Sequence, residues 1–360
     1  MIHVFVRRST DVDYLTQDRG DELAGLRRGE AGWWLRGTGD AESSADVATV
    51  LQTTARASVV GYDVVVAAPR PLSILVAIDE ACAPGVVAAH RAGVLAAIDY
   101  LEDRALVVRQ RADGGEYLRA ASWSRVVGYT HGINRSGEPH LHDHVLIGAR
   151  PLHESTVADS RSLFAHLPAA DAIYRSTLRF EVNQHTSARV WRSFAGVEVV
   201  TGLDEGYRAL WGGHADERGP KTAWTRDEAV ARWRADRHRF EPMSMPAEPP
   251  RREFDAHGYA AAFEGASRIT RRDLVKAYAD ASTFGAEAPA VHAAIDELHP
   301  HLRVARGVDE RPLRLVQARR LAPELSQELA RGARDVVIDD RYLERAGVSR
   351  LRESRNRSEW

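Results

Sequence analysis

The stretch Val126–Arg150, VVGYTHGINRSGEPHLHDHVLIGAR, constrains this chain more than any other. It places His131, His140, His142 and His144 within fourteen residues. Residues 124–130 are rich in β-branched and aromatic side chains, 132–139 hold Gly, Asn, Ser and Pro, and 141–147 alternate again. That order predicts a β-hairpin with its turn at 132–139. Side chains two apart on a strand share a face, so His142 and His144 project together and Asp143 points the other way. An antiparallel partner strand can bring His131 to the same face. Three imidazoles from two paired strands form an open metal site, with positions left for water or substrate. The competing reading is a surface hairpin that is His-rich without any ligand. His140 reads as a turn residue.

At 360 residues the chain can bury a large core and hold more than one domain. No run approaches the ~20 apolar residues that span a bilayer, and the N-terminus lacks a signal peptide's apolar core. The expectation is a cytoplasmic protein with no membrane insertion. Cys82 is the only cysteine, which excludes a disulfide framework and a Cys-based zinc site. Lysine occurs only at Lys221 and Lys276, so nearly all positive charge is arginine. The net charge is -2, so a nucleic-acid binder of this composition would need local basic patches. There is no GxxxxGK[ST] phosphate loop and no GxSxG elbow, which argues against an NTPase motor or a serine hydrolase in this chain.

Taken in order, residues 3–7 read as a strand, and a helix beginning near Asp11 carries Tyr14. Residues 18–39 read as a loop, with Trp33 and Trp34 as core anchors or as base-stacking platforms. Residues 45–54 read as a short helix. Residues 58–68, SVVGYDVVVAA, read as a buried strand with Asp63 inside it. A carboxylate there needs a partner. It is either a structural hydrogen-bonding group or a residue that orients a ligand histidine or takes a proton. The following PRPLS starts a helix whose N-terminus would attract phosphate, assisted by Arg70 and Ser73. A long helix is expected over 84–111, with His90 as a packing residue. A helix over 171–186 carries Tyr174, Arg175 and Arg179, a hairpin is expected at 190–201, and Thr225 opens a basic, aromatic helix to Phe240. That helix is either a solvated face or a nucleic-acid contact. Residues 241–252, EPMSMPAEPPRR, mark a linker. The expected organisation is therefore a domain at 1–240, a Pro-rich hinge at 241–252, and a mainly helical extension at 253–360. Within the extension, helices are expected from Thr270 and over 288–298, and short strands at 304–306 and 313–316.

An open histidine triad can serve hydrolysis or phosphoryl transfer, and the nucleophile separates the two. Tyr14, beside Asp11, Asp13 and Asp18, is a candidate. A tyrosine placed by a metal-bound phosphate, with a carboxylate such as Asp63 to take its proton, becomes a competent nucleophile. Attack on a phosphodiester would store the bond as a phosphotyrosine, so rejoining would need no ATP.

The segment HGINRSGEPHLHDH resembles the three-histidine motif of MobF-type conjugative relaxases, members of the HUH endonucleases. GYDVVVAAPRPLS is similar to the family's Asp-bearing strand and the loop after it, AAHRAGVLAAIDYLE to the helix between the motifs, and the N-terminal Tyr followed by Trp to the family's opening. The resemblance covers roughly 1–240. It implies an α+β fold, a central antiparallel sheet flanked by helices, with C-terminal helices closing over a single strand. It implies Tyr14 as nucleophile, with Asp63 orienting a histidine or taking the tyrosine proton. His131, His142 and His144 would hold a divalent metal, Mg or Mn before Zn or Ni. Arg70, Ser73, Arg135 and Arg175 are the candidate DNA contacts, and a DNA contact is the alternative role for His140. The implied substrate is single-stranded DNA at a transfer origin. The implied partners are accessory DNA-binding proteins, a coupling protein and a type IV secretion system. A rolling-circle initiator of the same chemistry and an origin-binding protein without catalysis are the alternatives. A hydrolytic metal enzyme would need a further carboxylate ligand. The chain departs from the family in three ways. Leu15 follows Tyr14 and no tyrosine recurs before Tyr62; Arg70 and Pro71 stand in the loop where the family favours Lys and Ser; and no helicase half is present, as in a stand-alone relaxase or a fragment.

Overall fold

The computed structural model describes residues 1–8, 33–37, 59–112, 115–123, 125–134, 136–152, 154–193, 195–201, 203, 211, 226–237, 253–263, 269–298, 312–314 and 335–337. Its centre is a five-stranded sheet, built from β1 (Ile2–Arg7), β2 (Trp33–Gly37), β3 (Gly61–Ala67), β6 (Arg125–Ile133) and β7 (Pro139–Gly148) in the order β1-β3-β7-β6-β2. Every neighbouring pair is antiparallel. This is the expected α+β class with a central antiparallel sheet.

The two faces of the sheet differ because the side-chain period is two. Tyr62, Val64, Val66, Val126, Val145 and Ile147 are buried on one face. Helices α1 (Arg70–Ile78), α2 (Ala83–Arg104) and α3 (Ser160–His185) contribute Leu72, Ile74, Val94, Ile98, Leu101, Ile173 and Leu178 to the same core. Gly93 lets α2 approach α3: a Cβ there would lie 2.9 Å from both Cδ2 and the carbonyl oxygen of Tyr174. The opposite face carries the histidines.

Three local expectations are corrected. The helix expected over 84–111 ends at Arg104, and residues 107–112 form β4 (Val107–Ala112), paired with β5 (Gly115–Ala120). The β-branched Val107 and Val108 are buried there, and the ladder runs to the pair Ala112 and Gly115. Trp33 and Trp34, read as loop, lie in β2, where this apolar run pairs with β6. α3 begins eleven residues earlier than expected, because Asp159 caps it by accepting from the Arg161 and Ser162 amides, and Pro168 is accommodated inside.

The hairpin at 190–201 is present as β8 (Val190–Arg192) and β9 (Glu198–Val200). Helices α4 (Arg226–Arg237), α5 (Ala256–Ala261), α6 (Arg271–Ala281) and α7 (Ala288–Leu298) follow. α6 opens with a capping box in which Thr270 and Asp273 exchange hydrogen bonds. β10 (Pro312–Arg314) and β11 (Asp335–Val337) pair with each other. Helices α6 and α7 pack on α3: Arg179 donates to the carbonyl oxygens of Ala279 and Ser282, and Asn183 to that of Phe284. The expected helices near Asp11 and over 45–54, the strand at 304–306 and the hinge at 241–252 lie outside the described residues. Among the described residues no helix is long and apolar enough to cross a membrane.

Candidate metal centre

The triad is assembled by strand register. His131 on β6 lies directly opposite His142 on β7, and His144 lies two residues further along β7. All three rings therefore project from one face. Their centroids form a nearly equilateral triangle: 5.2 Å from His131 to His142, 5.2 Å from His131 to His144, and 5.3 Å from His142 to His144. One nitrogen from each ring lies within 4.8 Å of the others. Among the described residues, this cluster of potential metal ligands consists of the three imidazoles, with no carboxylate joining it.

Hydrogen bonds fix which nitrogen faces the centre. His142 Nδ1 donates to the carbonyl oxygen of His140 over 2.8 Å. His144 Nδ1 lies 3.0 Å from both carboxylate oxygens of buried Asp63 and donates to them. With Nδ1 engaged, Nε2 is the nitrogen through which each ring would ligate a cation, the arrangement that orients ligand histidines and raises their basicity. Burial, with His140, His131 and His144 nearby, holds the His142 imidazolium well below its usual range, so the ring stays neutral and able to ligate. The donor chemistry and the tautomers fit a divalent metal.

His140 departs from the expectation. It lies in β7 rather than in the turn, with its ring 4.7 Å from that of His142. The reason is a break in register between His131 and Ile133, which pair with His142 and Pro139 respectively. β7 thus carries one extra residue where it meets the turn, a β-bulge. Burial lowers the His140 pKa to about 4, with Arg70 adding to the effect.

The turn is held from several sides. Asn134 Oδ1 accepts from the amides of Ser136 and Glu138, and Gly137 takes a φ of 74°, a region that favours glycine. Arg70, at the start of α1, donates to the Pro139 carbonyl over 2.6 Å and to Glu138 Oε2 over 3.2 Å. Trp233 of α4 donates from Nε1 to the Gly137 carbonyl over 2.8 Å, and Arg232 donates to that of Ser136. The basic, aromatic helix foreseen near 225–240 thus spends its aromatic residue on the hairpin.

The other candidate residues fall in different places. Ser73 is buried, and its hydroxyl accepts from the Leu141 amide over 3.0 Å, which fastens α1 to β7. Arg175 is ion-paired with Asp171 at 3.0 Å, Asp280 at 3.2 Å and Glu198 at 3.5 Å. Both polar groups have partners inside the fold, as Arg70 does. His90 is fully buried and packs, as expected. Tyr14 and Arg135 lie outside the described residues. The bond from Trp233 to Gly137 and the partners of Asp143 were not anticipated. The one available signal was the charge of Asp143 at a core-facing position.

An antiparallel sheet flanked by helices that brings three imidazoles from two adjacent strands to one face is a fold with a site suited to a divalent metal. The chain belongs to the TrwC relaxase family, the MobF-type conjugative relaxases: the family model, TrwC relaxase, matches residues 16–212 of the 360. The resemblance read from the hairpin is thereby borne out. Solved structures of conjugative relaxase TrwC are similar to the chain. A copper-bound form in complex with oriT DNA matches with a TM-score of 0.54 and 17% identity, over 66% of this chain and 98% of that one. A metal-bound form with oriT DNA gives 0.53 and 15%, with the same coverage of 66% and 98%. A metal-free form with oriT DNA gives 0.50 and 17%, again over 66% and 98%. At these identities the likeness speaks for the fold. No curated protein matches the chain.

Proposed function

We propose that this protein cuts and rejoins one strand of DNA at a conjugative transfer origin, with Tyr14 as nucleophile. The Tyr14 hydroxyl releases its proton to solvent as its oxygen bonds to phosphorus, the bond from phosphorus to the 3′ oxygen breaks, that oxygen takes a proton from solvent, and the diester's energy stays in a phosphotyrosyl link. Attack by a 3′-hydroxyl reverses the step without ATP. The observation that carries this reading is the oriented histidine triad in a chain of the TrwC relaxase family. His131, His142 and His144 would hold a divalent cation. Such a cation, when bound, neutralises charge on the scissile phosphate. An all-imidazole donor set suits Ni or Zn better than Mg or Mn, which prefer oxygen ligands.

Asp63 is assigned to orienting His144. Both of its oxygens are occupied by that ring, which argues against a second duty as the tyrosine's base. DNA contact is assigned to Arg135 in the hairpin turn and to Arg70 beside it. Accessory DNA-binding proteins, a coupling protein and a type IV secretion system are proposed as partners on the same family reading, with the cytoplasm as the place of action.

The test uses a single-stranded oligonucleotide carrying the transfer origin, with Mn²⁺, at stated salt. The wild-type chain should form a covalent adduct that maps to Tyr14. Tyr14→Phe should lose the adduct and keep the gel shift. An adduct formed by the Phe variant would overturn the assignment. Binding without cleavage by the wild-type chain would favour an origin-binding protein instead.

A further inference from the structure

We propose that Asp143, together with His90 and Arg91 of α2, is a register pin that sets the aim of the two metal-facing histidines on β7. The inference rests on reading the triad as a metal centre. Asp143 sits between His142 and His144 but faces the opposite side of the sheet, where it is fully buried. Its Oδ1 accepts from His90 Nε2 over 3.2 Å, and Arg91 Nε lies 3.6 Å from its Oδ2. His90 Nδ1 in turn accepts from the Tyr174 hydroxyl of α3 over 2.8 Å. Arg91 also donates to Thr130 Oγ1 over 2.9 Å, and Thr130 is the cross-strand partner of Asp143. One carboxylate thus joins β6, β7, α2 and α3 directly behind the triad.

Packing alone does not call for a charge at this position. The next core-facing residues of β7, Val145 and Ile147, are buried and apolar. An apolar residue at 143 would avoid the desolvation that a buried ion pair must overcome, and such pairs add little net stability. What the carboxylate supplies is uniqueness, because it meets His90 and Arg91 in one register only. Register is at risk here. The β6–β7 ladder is already broken between His131 and Ile133, next to the triad. A slip of one residue would turn His142 and His144 into the core and leave Asp143 on the metal face without its partners. Asp143 is a positioning residue on this account: it acts through the backbone that carries the ligands.

The experiment measures Mn²⁺ and Ni²⁺ affinity by calorimetry on the full chain, beside thermal unfolding of the metal-free protein. Asp143→Asn and His90→Phe should each weaken metal binding by about tenfold, the range typical of residues behind a metal's ligands. The double variant should be no worse than either single one, since the two act as a unit. His90→Gln, whose amide can still donate to Asp143, should bind metal like the wild type. That comparison holds even if Asp143→Asn fails to fold. Lowered unfolding temperatures with unchanged metal affinity would overturn the inference and leave a structural role. A wild-type chain that binds neither ion would overturn the metal reading itself, and the pin with it.

Discussion

Asp63 grips His144 with both carboxylate oxygens, each 3.0 Å from Nδ1, across the β3–β7 boundary. The pair turns a strand residue into an oriented donor, because the ring can neither flip nor change tautomer without losing a charge-assisted bond. Asp63→Asn keeps the shape and removes the charge. Metal affinity should fall by about tenfold, and by up to about a hundredfold for Asp63→Ala, in a calorimetric titration.

The hairpin turn depends on a helix that lies beyond the matched family region. Trp233 is 1% exposed and donates to the Gly137 carbonyl. Trp233→Phe leaves that carbonyl without this donor, at a cost of about 1–3 kcal/mol. Hydrogen exchange should speed up at the Asn134 and Glu138 amides, which close the turn, more than in the strands behind it.

Acid should weaken the fold through two histidines between α2, α3 and α7. Burial lowers the His166 pKa from 6.5 to about 3, with Arg272 and Arg104 adding to it, and lowers His292 to about 4. Below pH 6.5 the unfolded chain takes up protons that the folded chain refuses, so stability falls with pH until about 3 for His166. Each such group contributes at most about 1.4 kcal/mol per pH unit. His166→Gln should flatten the pH dependence of denaturant unfolding between 6.5 and 4. An unchanged slope would show that His166 does not carry it.

Arg179 ties the helices of 253–298 to the sheet domain. It is fully buried and is paired with Glu198 at 3.0 Å. Burial lowers its pKa to about 10, against the opposing pull of Glu198. Arg179→Ala would remove the nearest partner of Glu198, which keeps Arg175 and Arg192, and the donor to two buried carbonyl groups; it should cost about 1–3 kcal/mol for each carbonyl in denaturant unfolding. Amides of α6 should lose exchange protection first.

Several features were legible in the sequence because they depend on near neighbours. An apolar run marked β3, alternation marked β7, the Gly, Asn, Ser and Pro of 132–139 marked the hairpin turn, and Thr270 marked the start of α6. Where local signals competed, the reading erred. The helical pattern of α2 ran on into β4, because Val107 and Val108 suit a buried strand as well as a helix. β2 was missed because its pairing to β6 is a long-range choice.

For the metal centre, the sequence by itself determined the ligand types and the common face of His142 and His144, since strand period is a local property. Only the tertiary structure decided that His131 stands opposite His142, that Asp63 reaches His144, and that Asp143 finds His90 beneath them. Those contacts join residues far apart in the chain. They are set by strand order, by a one-residue bulge, and by the depth at which α2 packs on the sheet, none of which has a local signature.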